Sequence, residues 1–176
     1  NDLIESDMFT HTTLEQIYRQ SDNSYIPILA KEIKEHDLSS EFTKQTDDYN
    51  FLYASGLTIK EMIRKICLMS KEKGLTEEEI QVLAPMYRGE NGIDNLNVLL
   101  QEIFNPKHPD KKETKVGDLI YRVGDKVLQL VNDPDNNIFN GDIGYISSIG
   151  SVMGSKNKDV FTIDFDGNEV QYTRED

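Results

Sequence analysis

Up to about residue 115, apolar positions recur mostly at helical spacing; beyond it they fall into short β-prone runs split by turn signals. The clearest helix is LTIKEMIRKICLMSKEKG, residues 57–74, where Ile59, Met62, Ile63 and Ile66 form one stripe. Thr58 stands at its N-cap with Glu61 three residues on, and Gly74 is placed to stop it. Residues 24–36 put Ile28, Leu29 and Ile33 at helical spacing, with Pro27 tolerable only in the first turn. A third helix is predicted over Asn95–Phe104, ended by Asn105-Pro106, and a short amphipathic one over Asp2–Phe9. Between them lie β-prone stretches: HTTLEQIYR, the aromatic YNFLYA, and Ile80–Ala84 read as a short buried strand. Alternating strand and helix predicts an α/β fold with a parallel layer.

NPKHPDKKET, residues 105–114, is polar and proline-bearing, and is the best candidate for a boundary. After it, VGDKVLQLV, DIGYISSI, VFTIDF and EVQYT read as strands. Asp166-Gly167 is a hairpin signal between the last two. Four or five short strands in this length predict a small SH3-like or OB-like β-barrel.

Composition narrows the function classes. Net charge is −13, so the chain on average repels phosphate, and autonomous nucleic-acid binding would need locally clustered Arg and Lys. Apolar runs are too short to span a membrane. The single cysteine, Cys67, lies in a helical apolar pattern and permits no internal disulfide, which fits a reducing, cytoplasmic compartment. The first residues, NDLIESDMF, carry no signal-peptide pattern and start within an amphipathic stretch, as a piece of a longer chain would.

Candidate chemistry is sparse. GSVMGSKN, residues 150–157, resembles a phosphate-binding loop only superficially. Ser155 replaces the second glycine, Asn157 replaces the magnesium-binding hydroxyl, and a β run follows where a helix is needed. DPDNN, residues 133–137, starts like a calcium loop, but Ile138 and Gly144 occupy the glycine and acid positions, so it reads as a turn. The histidines at 11, 36 and 108 show no metal-ligand spacing, and no metal site is expected. Thr76-Glu77-Glu78-Glu79 reads as a capped or solvent-facing turn. Asn140-Gly141 reads as a tight turn with positive φ at the glycine, and Gly144 as a place where the backbone bends or is closely approached.

Two stretches ask for more. LEQIYRQ puts Arg19 at the end of a strand-like segment, and VLAPMYRGENG puts Pro85, Met86, Tyr87, Arg88 and Gly89 just after a predicted strand. Carboxyl ends of strands in open α/β sheets bind ligands, and a guanidinium fork suits phosphate. Unaided, each arginine still reads as a surface residue before it reads as a ligand.

Taken together, LEQIYRQ, QVLAPMYRGENGIDNLNVLLQEIFNP and RVGDKVLQLVND…IFNGDIGYISSI…FDG…VQY resemble the RecD-like ATP-dependent DNA helicases of the exodeoxyribonuclease V alpha-subunit type. The likeness runs in order through most of the chain and is weakest over residues 38–57. It implies a motor of two RecA-like domains, with an SH3-like domain inserted in the second. Residues 1–11 would then be the tail of the first motor domain, 12–115 part of the second, and 116–176 the inserted barrel.

The resemblance further implies that Arg19 reaches the nucleotide γ-phosphate with Gln20 beside it. Pro85, Met86, Tyr87 and Arg88 would lie near single-stranded DNA. ATP and Mg²⁺ would be cofactors of the full-length protein, none being expected on this piece, which lacks the Walker motifs and would be inactive alone. A different reading is a non-enzymatic interaction module whose barrel docks a protein partner.

Overall fold

Pro27 presets the backbone of a first helical turn, and there the chain enters α1 (Ile26–Glu35). The computed structural model describes residues 10, 12, 24–151 and 159–174. These form two compact units, divided between Tyr53 and Ala54. In the first unit, α1 ends at His36, whose φ of 57° closes the helix, with the Asp37 amide bonded to the Glu32 carbonyl (3.0 Å). A 3₁₀ turn follows at Ser40–Thr43.

YNFLYA was predicted as a strand and forms none. Its rings stack instead: Tyr49 on Tyr25 (centroids 5.2 Å apart), Phe51 edge-on to Phe42 (5.1 Å) and to Tyr53 (5.2 Å). Aromatic residues favour strands only when a neighbouring strand offers them a pleated surface, and none lies alongside among the described residues.

The second unit begins with α2 (Ile59–Glu72). Gly74, at φ 91°, ends it as expected, and Leu75 N–H reaches back to Ser70 O (3.0 Å). The predicted capping box is not made: Thr58 Oγ1 accepts from Ser55 N–H (3.0 Å) and donates to Ser55 O (3.1 Å), closing the preceding turn. Helix α3 (Ile93–Phe104) lies against α2, burying Cys67, Leu96, Leu99 and Ile103 together. Val82 and Ala84 pack on this helix pair while Leu83 between them is 87% exposed. The alternation that predicted a strand at Ile80–Ala84 is thus real, but no partner strand supplies a ladder.

Beyond α3 come β1 (Glu113–Val116), β2 (Leu119–Arg122), β3 (Lys126–Leu128), β4 (Ile143–Ser151), β5 (Asp159–Phe165) and β6 (Asn168–Thr173). β1 and β2 form a hairpin inside and just beyond the stretch read as a linker. The other four make one sheet in the order β3-β4-β5-β6. Asp166 (φ 53°) and Gly167 (φ 89°) supply the two positive-φ residues that the β5–β6 turn requires. Alternate residues of these strands, with Ile138, bury a core of Ile146, Ile149, Phe161, Ile163, Phe165 and Val170. The hairpin covers that core, its Tyr121 ring meeting Phe161 at 5.6 Å. In β4, Ile146 and Ile149 both point inward although three residues apart, because a bulge interrupts the register between Ile146 and Ser148.

The small SH3-like sheet of the second unit is therefore present. The expected parallel RecA-like layer is not found among the described residues, where every strand pairing is antiparallel and no strand precedes Glu113. RecA-like layers pair strands distant in sequence, and these residues bring no such strands side by side.

Candidate functional site

The loop Pro85–Gly92 is built as the cap of α3. Ile93 N–H donates to Met86 O (2.9 Å) and Asp94 N–H to Tyr87 O (3.1 Å), so loop carbonyls satisfy first-turn amides that a helix leaves unpaired. Asn95 Nδ2 holds Gly89 O (2.7 Å), and Gly89 turns the chain at φ 99°. A Cβ on Gly92 would lie 2.5 Å from Tyr87 O and 2.6 Å from the Arg88 carbonyl carbon, so only glycine lets the loop close this tightly.

The carbonyls of Met86 and Tyr87 face the helix, while the side chains of Pro85, Met86, Tyr87 and Arg88 are exposed. Tyr87 is 73% exposed, and neither its hydroxyl nor the Arg88 guanidinium has a hydrogen-bond or ion-pair partner among the described residues. A bare ring and a bare guanidinium on consecutive residues of a tied-down turn offer a π-face for a base and a fork for phosphate.

Arg19 and Gln20 lie outside the described residues. Asn140 and Gly141 occupy the turn Phe139–Asp142, with Gly141 at φ 101° and Asp142 N–H bonded to Phe139 O (3.0 Å). Gly144 sits within β4, where a Cβ would fall 2.7 Å from Ile163 Cγ2 and 2.8 Å from Phe165 Cδ1. It is a place of close approach by side chains of β5. No group of three or more His, Cys, Asp or Glu side chains able to hold a metal occurs among the described residues.

A second constellation escaped the reading of the sequence. Asp125 accepts from Gln101 Nε2 (2.6 Å), Asn105 Nδ2 (2.7 Å) and the Arg122 amide (2.7 Å). Arg122, only 6% exposed, donates Nη1 to Asn105 O (2.5 Å) and Nη2 to Glu113 Oε2 (3.0 Å). Lys71 Nζ reaches Ile103 O (2.5 Å), and Lys111 Nζ holds Asn105 Oδ1. Cations thus gather at the carbonyl end of α3, as the helix dipole favours. The signal was present in R-V-G-D, residues 122–125, where Gly124 at φ 91° brings the backbone against the Asn105 amide. It was read only as the start of a strand.

The carboxyl of Glu113 is held below the usual carboxylate range, by the Lys107 hydrogen bond first and then by Arg122. Asp159 is lowered likewise by the Thr114 hydroxyl and then by Arg174. A carboxylate with a depressed folded-state pKa contributes fully above its unfolded value, about 4.3 for Glu, and loses that contribution as pH falls through the folded value. The gap in urea midpoint between wild type and Glu113→Gln is therefore expected to be present at pH 7 and to close in acid. A gap that persists undiminished well below the unfolded carboxylate pKa would count against this account.

Comparison with known proteins places the second unit. Residues 96–165 match the family of the SH3 domain of ATP-dependent RecD-like DNA helicases. The match opens inside α3 and closes at the end of β5, so the part of α3 that carries Gln101 belongs to the same family unit as the sheet it is hydrogen-bonded to. The chain is RecD-like and carries this SH3 domain.

A relative sits beside it: over 110 residues, 62% of the chain, it is 38% identical to the ATP-dependent RecD2 DNA helicase of Deinococcus radiodurans. The chain spans 14% of the length of that relative.

Proposed function

We propose that the chain is part of a bacterial ATP-dependent DNA helicase of the RecD-like kind, working in DNA repair or recombination in the cytoplasm. The full-length protein couples ATP hydrolysis to five-prime-to-three-prime movement along single-stranded DNA. Residues 12–115 serve in its second motor domain and 116–176 as the inserted barrel. The Walker motifs and the Mg²⁺ site belong to sequence beyond these residues, so the piece alone neither turns over ATP nor unwinds DNA. The observation that carries the reading is the family match over residues 96–165, reinforced by the identity to a RecD2 helicase.

Within this reading, Arg19 contacts the γ-phosphate and Gln20 lies beside it. Tyr87 stacks on a base and Arg88 meets the adjacent phosphate, with Pro85 and Met86 shaping the turn beneath them. The exposed, unpaired state of both side chains supports that assignment.

The test is ATP turnover by the full-length protein with and without oligo(dT). Turnover is expected to rise on adding DNA and to be absent from the 176-residue piece. A full-length protein indifferent to DNA would overturn the proposal.

A further inference from the structure

The turn that links β3 to β4 leaves a row of large apolar side chains uncovered. Leu128 and Ile143 face each other across the ladder, both exposed, and Leu130, Val131 and Phe139 continue the surface in the connection between them. The connection is held in shape: Gln129 N–H donates to Asp142 O (2.8 Å), Gly141 N–H to Gln129 O (2.9 Å) and Asn140 N–H to Asn132 Oδ1 (2.9 Å). Five exposed apolar residues on one fixed turn are more than scattered surface hydrophobics need, and such a patch marks a docking surface.

The charge around the patch narrows the occupant. Ile143 lines two open hollows, of about 350 and 460 Å³. Asp142 and Asp166 stand on the wall of the first, and Glu78, Asp164 and Asp166 on the wall of the second. Lys126 also lines the second, but its amine is occupied by the carbonyls of Glu77 (2.7 Å) and Ile80 (3.1 Å). Tyr145, on the same wall, has its phenol pushed up by burial and further by Glu78 and Glu77. This rim repels nucleic-acid phosphate and repels a second copy of a chain of net charge −13. It suits a protein surface that sets Lys or Arg beside apolar side chains.

The chain spans 14% of the RecD2 helicase it resembles, and a surface on the same polypeptide meets the patch at an effective concentration that an external partner would need high affinity to match. We infer that the β3–β4 turn surface is the seat on which a basic, apolar segment from the rest of the full-length polypeptide docks, fixing the SH3 domain against the motor. The inference rests on the helicase reading given above.

The test is thiol accessibility in the full-length protein, its other reactive cysteines replaced. Leu130→Cys is expected to react with a maleimide about tenfold or more slower than Ser148→Cys, an exposed site on β4 of the same domain. Phe139→Cys should be slowed in the same way, so that a folding defect in one variant does not decide the result. Adding the charge reversal Glu78→Lys should speed the reaction at position 130. Equal rates at 130, 139 and 148 overturn the docking, and a rate at 130 indifferent to Glu78→Lys overturns the basic character of the segment. DNA-stimulated ATP turnover is read on the same preparations. Protected thiols without that turnover reject the helicase reading, while full turnover with unprotected thiols rejects only the docking.

Discussion

Exchange of Arg19 for alanine in the full-length protein is expected to slow DNA-stimulated ATP turnover by about 10³-fold or more. Affinity for oligo(dT) and the unfolding midpoint should stay where they are. The expectation follows from where charge builds up during phosphoryl transfer. Negative charge spreads over the γ-phosphoryl oxygens as the bond to the leaving group loosens, and a forked guanidinium placed there gains interaction strength as the reaction proceeds. An interaction stronger in the transition state than in the ground state acts on turnover rather than on binding. Arg19→Lys keeps a charge but loses the planar fork, and should fall between wild type and alanine. Phosphate release at saturating ATP, with anisotropy of a labelled oligonucleotide as the binding control, reads both quantities. A variant whose turnover is close to wild type would remove Arg19 from the nucleotide site.

The second large effect falls on stability. Asp125→Ala is expected to cost about 3–5 kcal/mol, read as a drop in the urea midpoint. The carboxylate serves three donors at once. Gln101 and Asn105 each keep a second acceptor without it, Ile120 O at 2.8 Å and Val123 O at 3.2 Å. The Arg122 amide has no such alternative and would be left buried and unpaired.

Asp125→Asn gives a sharper test. One oxygen can still serve Gln101 and the Arg122 amide, but the new NH₂ then meets the Asn105 NH₂. Asn105 can turn its oxygen inward only by releasing Lys111. An ordering of wild type, then Asn, then Ala is expected, and equal midpoints for wild type and Asn would show that Asp125 does not organise the α3–sheet junction.

Local signals carried most of what could be read in advance. Gly74, Pro27 and Asp166-Gly167 each act within a few residues, and each produced the helix end, helix start or hairpin expected of it. The stripe of α2 was legible because Ile63 and Cys67 meet α3 from within the same unit. What escaped the sequence was pairing at a distance. Tyr49–Ala54 and Ile80–Ala84 have strand composition without a strand beside them. β1 and β2 were hidden because Glu113 and Lys115 look like linker polarity, whereas Glu113 faces Arg122 and the carbonyl end of α3. In the candidate DNA contact, exposure of Tyr87 and Arg88 was visible as polarity after an apolar run. The cap that fixes them was not, since it runs through the carbonyls of Met86 and Tyr87, which every sequence shares.

The bulge in β4 also governs how this strand can change length. Gly144 and Ile146 point inward on one parity, and Ile149 points inward on the other. The extra residue that switches them lies at Ser147, whose hydroxyl bonds Thr162 O and Glu169 Oε1, both at 3.2 Å. Deleting either Ser147 or Ser148 would therefore turn everything after it by half a pleat, exposing Ile149 and burying Ser148 or Gly150 in its stead. Single-residue length changes are closed to β4 near this point, whereas a pair added or removed together keeps its parity.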